Sequence, residues 1–211
     1  MPAHTPSITL FISAAILLNL TPGPDMLYVA TRTASQGLKA GILSAFGIFS
    51  GTLVHISFAI FGLSIILQRS AAAFMTLKYA GAAYLIYLGI IALIKKDPSA
   101  LDNGPAQKQR YRKVYLQSIL TNVLNPKVAL FFLAFLPQFI DPAQGHIPLH
   151  ILGLGLYFDI QGTLILMGVA IGITRLGQGF LQKSRALPRS RKLTGGILIA
   201  LGIRLALLDK K

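Results

Sequence analysis

Cysteine, tryptophan and glutamate are absent from this 211-residue chain, and charged residues make up only 12% of it. Without cysteine there is no disulfide scaffold and no thiol for redox work. A soluble domain carries about a quarter charged residues, and a soluble helical enzyme uses glutamate heavily on its exposed faces. Here all six acids are aspartates. Apolar residues reach 54% and the mean hydropathy is +0.65. A disordered chain and a water-soluble globule are both excluded, which leaves a polytopic helical membrane protein. The sequence also lacks a metalloprotease His-Glu pattern, a P-loop and a nucleophile elbow. No enzyme chemistry, metal or cofactor is therefore expected, and an ATP-driven pump would need a partner chain.

The net charge of +14 does not indicate a nucleic-acid partner. The cations lie between apolar runs, mainly at 95–113 and 175–192, and a single aromatic in each, Tyr111 and Phe180, makes no platform to stack bases. That is the pattern of cytoplasmic loops in a membrane protein.

The apolar runs divide the chain. Residues 1–24 carry no Asp, Glu, Lys or Arg and read as a retained membrane helix, not a secretory signal. Ala40 to Gln68 is charge-free over 29 residues, above the ~20 needed to cross the hydrocarbon core. Tyr79 to Ile94 is a third run that extends back through Ala71. Val114 to Ile140 is a fourth, interrupted at Asn125-Pro126-Lys127. Pro148 to Thr174 is a fifth and holds Asp159. Leu193 to Leu208, with Arg204, is the weakest, so five spans remain an alternative to six. With six spans and an external N-terminus, fourteen cations fall in cytoplasmic loops and five outside, and Lys127 lies within the membrane. The opposite orientation violates the positive-inside rule.

The two halves resemble each other at an offset of 104: Pro22 falls on Pro126, Gly51 on Gly155 and His55 on Asp159. The third and sixth runs match at a slightly larger offset, Leu88-Gly89-Ile90 against Leu201-Gly202-Ile203. Three spans per half force the second half to enter the membrane in the opposite sense, so the expected fold is all-α. It comprises two inverted three-helix repeats, residues 1–94 and 114–211, joined by a basic cytoplasmic loop at 95–113. Chance similarity between apolar helices is the alternative.

Thr21-Pro22-Gly23-Pro24-Asp25 breaks the first span, and Asn125-Pro126-Lys127 breaks the fourth at the matching place. Proline removes backbone donors, and unpaired backbone in hydrocarbon is costly unless it lines a cavity or packs on protein. Paired breaks in corresponding halves point to a substrate site near the midplane; two packing kinks are the plainer reading. Asp25 suits the first turn of a restarting helix, and Asn125 can cap one, with Pro126 in its first turn. Lys127 opposes the dipole there. Either Asp25 pairs with it or an anionic ligand meets it. His55 and Asp159 form a proton relay on one reading; on another, His55 is a hydrogen-bonded core residue. Gly47 and Gly51 offer a small face for close helix approach. Phe131, Phe132 and Phe135 pack or line a hydrophobic path.

These segments resemble a known family. Thr21-Pro22-Gly23-Pro24, Ser35-Gln36-Gly37 and Gly51-Thr52-Leu53-Val54-His55 carry the likeness in the first half. It continues through Lys78-Tyr79-Ala80-Gly81, Asn125-Pro126-Lys127 and Phe131 to Phe139. The chain resembles the lysine-exporter superfamily, LysE-type amino-acid translocators, and within it the homoserine/threonine efflux (RhtB) branch. That resemblance implies a multi-pass protein of the bacterial inner membrane that exports amino acids or their derivatives on the proton gradient. The chain departs from the family pattern twice. Asp25 stands where Asn is common, and Thr52 where Asp is common.

The expected function is secondary export of a small zwitterionic amino acid. Pro22, Gly23, Pro24, Asp25, Asn125, Pro126 and Lys127 would form the substrate site, and Asp25, His55 and Asp159 would couple protons. The partners are the substrate, the lipid bilayer, protons and, as an open alternative, a second copy in a homodimer. A passive small-solute channel and a membrane scaffold are the competing functions. The charge count makes a direct prediction about topology. Cysteines introduced by Gly104→Cys and Ala186→Cys should be labelled only after the membrane is permeabilised, and labelling of either from outside intact cells overturns the orientation.

Overall fold

A computed structural model describes residues 8–63, 71–94, 109–141 and 145–176, with isolated helical positions between 196 and 207. The second basic loop, most of the first and much of the last apolar run lie outside these residues, so the choice between five and six spans does too.

The described residues are almost entirely helical. Helix α1 spans Ile8–Leu20 and α2 spans Pro24–Gln36. The two are bent by 46° about the break. Helix α3 runs Leu38–Phe58 and continues through a π-helical turn, Ala59–Leu63. Helix α4 is Ala71–Ile94; its 24 residues cover ~36 Å at 1.5 Å per residue, so the third run does extend back to Ala71. Helix α5 spans Tyr111–Val123 and α6 spans Pro126–Leu130, continued by a π-helical turn, Phe131–Phe135, and a 3-10 turn, Leu136–Phe139. This second broken element bends by 44°. Helix α7 is a single 30-residue helix, Ile147–Leu176. Leu38–Gly62 and Ile147–Leu176 are long and apolar enough to cross a membrane, and each bent pair also qualifies if counted as one span.

Each half therefore begins with a broken span and follows it with a long helix. The halves interlock: α3 packs on α5 of the other half, α7 packs on α1 and α2, and α3 packs on α7. Close approach follows from glycine. A Cβ at Gly51 would stand 2.8 Å from Asn122 and 2.9 Å from the Ile119 carbonyl, and one at Gly47 would collide with Ser118. In the second half, Gly155 meets Ile56 of α3 and Gly162 meets Asn19 of α1. Gly202 meets Ile86 and the Ala82 carbonyl of α4, which joins the third and last runs.

The largest apolar cluster is aromatic. Phe11, Phe131, Phe132, Phe135 and Phe158 are buried together, with Phe131 stacked on Phe158 at 4.2 Å between centroids. A smaller cluster, Val29, Ala45, Ile48, Leu166 and Ala170, joins α2, α3 and α7. Between α2 and α5 the contacts are polar. Arg32 Nη2 donates to Gln117 Oε1, the Tyr28 hydroxyl to the Val114 carbonyl, and Gln36 Nε2 to the Gln109 carbonyl. These bonds tie the end of α2 to the start of α5.

Gly51→Val should wedge α3 from α5 and lower stability by about 1–3 kcal/mol, read as a lower unfolding midpoint in detergent. Gly153→Ala, where an added Cβ meets nothing within 4 Å, should leave the midpoint unchanged. Equal effects would contradict this packing.

Candidate functional site

The site grows from the two prolines that open the breaks. In a continuous helix the carbonyl of residue i accepts the N–H of residue i+4. Pro22 and Pro126 have no N–H to give to Leu18 and Asn122. Each of these carbonyls takes the N–H three residues on instead, Thr21 N at 3.1 Å and Asn125 N at 2.9 Å. Each then accepts a second donor from the opposite half. Lys127 Nζ reaches the Leu18 carbonyl at 3.1 Å and the Thr21 carbonyl at 3.0 Å. His55 Nε2 reaches the Asn122 carbonyl at 3.0 Å. A carbonyl oxygen can only accept, so Nε2 carries the ring proton.

This placement explains how a cation is tolerated in the first turn of α6. Lys127 points at the carbonyl end of α1, where the helix dipole is negative. The ammonium is thus held by main chain and stands close enough to Asp25 to interact with it electrostatically. Gly23 has φ −155°, a conformation open to any residue, so its value is space. A Cβ there would stand 3.2 Å from Lys127 Nζ. Pro24 opens α2 with Asp25 in its first turn, and the Asn125 side chain caps α6 by accepting from Lys127 N at 3.0 Å.

Asn122 joins the remaining polar groups. Its Nδ2 donates to Asp25 Oδ2 at 2.8 Å, and its Oδ1 accepts from the Thr52 hydroxyl at 3.3 Å. Thr52 also faces Asp159. The chain Asp25–Asn122–Thr52–Asp159 thus crosses from one half to the other. It links Asp25 and Thr52 through one amide. Asn19, three residues before Pro22, donates to the Phe158 carbonyl and to Gln161 Oε1 of α7.

These groups surround a cavity of about 20 Å³, room for one water-sized group and far too small for an amino acid. Asp25, Thr52, Asn122, Lys127, Asp159 and Thr163 supply its polar wall, and Met26, Ile48 and Leu166 its apolar wall. Asp25 Oδ1, Asp159 Oδ2 and Thr163 Oγ1 are buried without a hydrogen-bond partner among the described residues, and all three residues line the cavity. Native proteins rarely leave such atoms unpaired, which makes this cavity the candidate site.

The structure therefore brings Asp25, Asn125, Lys127 and Asp159 together. His55 lies within electrostatic range of Asp25 but bonds to the Asn122 main chain and stacks on Phe132 at 6.1 Å; it is not among the cavity-lining residues. In the sequence, Thr121-Asn122 belongs to the stretch that carries the family likeness, but nothing there assigns a role to Asn122, nor to Thr163 or Asn19.

The model of the LysE type translocator family matches residues 16–209. The chain belongs to that family. Its members are transporters, not enzymes. The chain is 31% identical over 209 residues to the uncharacterized membrane protein YrhP of Bacillus subtilis, covering 95% of this chain and 99% of that protein. It is 28% identical over 201 residues to an uncharacterized membrane protein of Pseudomonas aeruginosa, covering 93% of each. It is 29% identical over 197 residues to the homoserine/homoserine lactone efflux protein of Salmonella typhimurium, covering 93% of this chain and 94% of that one. No solved structure matches. This LysE translocator is thus a membrane transporter whose two breaks enclose one cavity.

If main-chain carbonyls are what hold Lys127, Lys127→Met should destabilise the protein, and adding Asp25→Asn should not restore it, because the Leu18 and Thr21 carbonyls still lose the ammonium donor. The expected loss is about 1–3 kcal/mol in both variants, from unfolding in detergent. Recovery in the double variant would show a simple ion pair instead.

Proposed function

We propose that this translocator is a secondary exporter of small neutral amino acids or their derivatives, of the homoserine/threonine type, in a bacterial inner membrane, and that protons drive it. The observation that carries the reading is the cavity between the two breaks, lined by both signs of charge and by buried polar atoms without partners. A zwitterion needs an acceptor for its ammonium and donors for its carboxylate. Asp25 and Asp159 supply acceptors, and the Lys127 ammonium, the Asn19 amide and the Thr163 hydroxyl on the cavity wall supply donors. The apolar wall suits a short aliphatic side chain. The efflux activity named for the Salmonella relative supports the same substrate class.

The cavity is closed at the size of one water, so loading requires the halves to part. That favours a carrier over a passive channel. Opening toward the cytoplasm would break the polar contacts between α2 and α5, and opening outward would part the phenylalanine cluster. Moving one proton inward per substrate supplies ~2.3 kcal/mol per 100 mV, which supports roughly a fiftyfold outward gradient. Asp25 and Asp159 are the acids available to carry it, with His55 close by.

Purified protein in proteoliposomes preloaded with unlabelled homoserine or threonine should take up the labelled amino acid transiently above equilibrium, and an imposed proton gradient should drive net movement. Equilibration without counterflow would establish a channel. No movement of either amino acid would remove the exporter reading.

A further inference from the structure

Asp25 and Asp159 face the same cavity with different surroundings. Asp25 has the Asn122 amide on one oxygen at 2.8 Å, with Asn125 and the Lys127 ammonium near it. Asp159 is 3% exposed and has only the Thr52 hydroxyl as a described partner. That hydroxyl has one hydrogen, and the Ile48 carbonyl at 3.2 Å and Asn122 Oδ1 at 3.3 Å also compete for it. Asp159 Oδ2 is unpaired. One helical turn on, the Thr163 hydroxyl is 7% exposed and also unpaired. Both line the cavity, and residues four apart lie on one helix face.

Charge points the same way. The cavity holds two carboxyl groups and one ammonium, and that ammonium is bonded to the carbonyl end of α1. Asp159 is the acid without a cation of its own. A bare carboxylate in an apolar interior is expensive, so it is occupied either by a proton or by a cationic ligand group.

We propose that Asp159 and Thr163 form the ammonium subsite of the cavity, at which the substrate's ammonium and a proton replace one another. This rests on the exporter reading above and gives it a coupling step. The arriving ammonium donates to Asp159 Oδ2 and to Thr163 Oγ1, and the proton that held Asp159 leaves to the cytoplasmic side. After the substrate departs outside, a proton from that side refills the carboxylate and allows the empty carrier to return. The other groups that face this region are Asp25 on α2, His55 on α3 and Lys127 on α6. Arg32, two turns beyond Asp25, is engaged with Gln117 and Gln36, and α1 presents the neutral Asn19.

The test is binding of homoserine, homoserine lactone and N-acetylhomoserine lactone to the full protein in lipid nanodiscs, with proton release followed in weak buffer. The first two carry an ammonium and should bind and release up to one proton each. The acetylated lactone has none and should do neither. Apparent affinity should weaken by up to roughly tenfold per pH unit on acidification, the limit for one competing proton. Asp159→Asn should bind at least tenfold more weakly, release no proton and lose the pH dependence. Thr163→Val should bind severalfold more weakly yet still release the proton, which keeps the proposal testable should the aspartate variant fail to fold. Proton release that persists in Asp159→Asn assigns the exchange to Asp25 and overturns the proposal. So does equal binding of the acetylated lactone, or unchanged affinity in a folded Thr163→Val. Counterflow of homoserine without proton release would keep the exporter and sink this subsite, whereas absence of both binding and counterflow removes the exporter reading and the subsite with it.

Discussion

A proline leaves the carbonyl four residues back without its helical donor, and this fold answers that deficit twice with a side chain from the opposite half. Leu18 O and Asn122 O each keep an N–H three residues on, and Lys127 and His55 add a second donor. Buried carbonyls are paired in this way because water does not reach them. The consequence reaches the whole architecture. Each break is braced by the other half. The interlock of α3 on α5 and of α7 on α1 places the donors, and the glycines at 51, 155 and 162 let the helices come close enough for them to reach.

Because the clasp uses Lys127 and His55, it sets the chemistry left for the cavity. Lys127 is occupied by main chain while still stabilising Asp25. Asn122 spends its amide on Asp25 and Thr52, so one buried residue ties α2, α3 and α5 together. Unpaired atoms remain at Asp25, Asp159 and Thr163, arranged around a space of about 20 Å³. On the proposed exporter reading, polar contacts between α2 and α5 and the aromatic cluster around Phe131 and Phe158 are the two sets that would part as the carrier opens, with the clasp between them kept.

Much of this was legible in the sequence because it rests on residue types with strong local rules. Prolines at 22, 24 and 126 announced the breaks, Asn125 announced a cap, and Asp25 fits a helix start. The offset of 104 paired Pro22 with Pro126, and the structure turns that pairing into two bends within a few degrees of each other. Other features had no signature of this kind. The partners of Lys127 are main-chain oxygens, which no residue letter encodes, so the sequence offered only Asp25 or an anion as its counterweight. His55 and Asp159 occupy matched positions, but one bonds a carbonyl and the other faces Thr52, a difference set by side-chain direction on α3 and α7. The role of Asn122 was hidden because it lies among other polar residues of α5, Gln117, Ser118 and Thr121, any of which could bond across the bundle. The π-helical turns at 59–63 and 131–135 had no signal in the sequence.

The clasp is tested most directly by giving the missing donor back. Pro22→Ala restores an N–H to Leu18 O, so the main chain no longer depends on Lys127 for that bond. In a double-mutant cycle of unfolding free energies, Lys127→Met should cost much less in the Pro22→Ala background than in the native one. The expected coupling is about 1–2 kcal/mol. Additive costs would contradict the claim that Lys127 stands in for the proline's absent N–H.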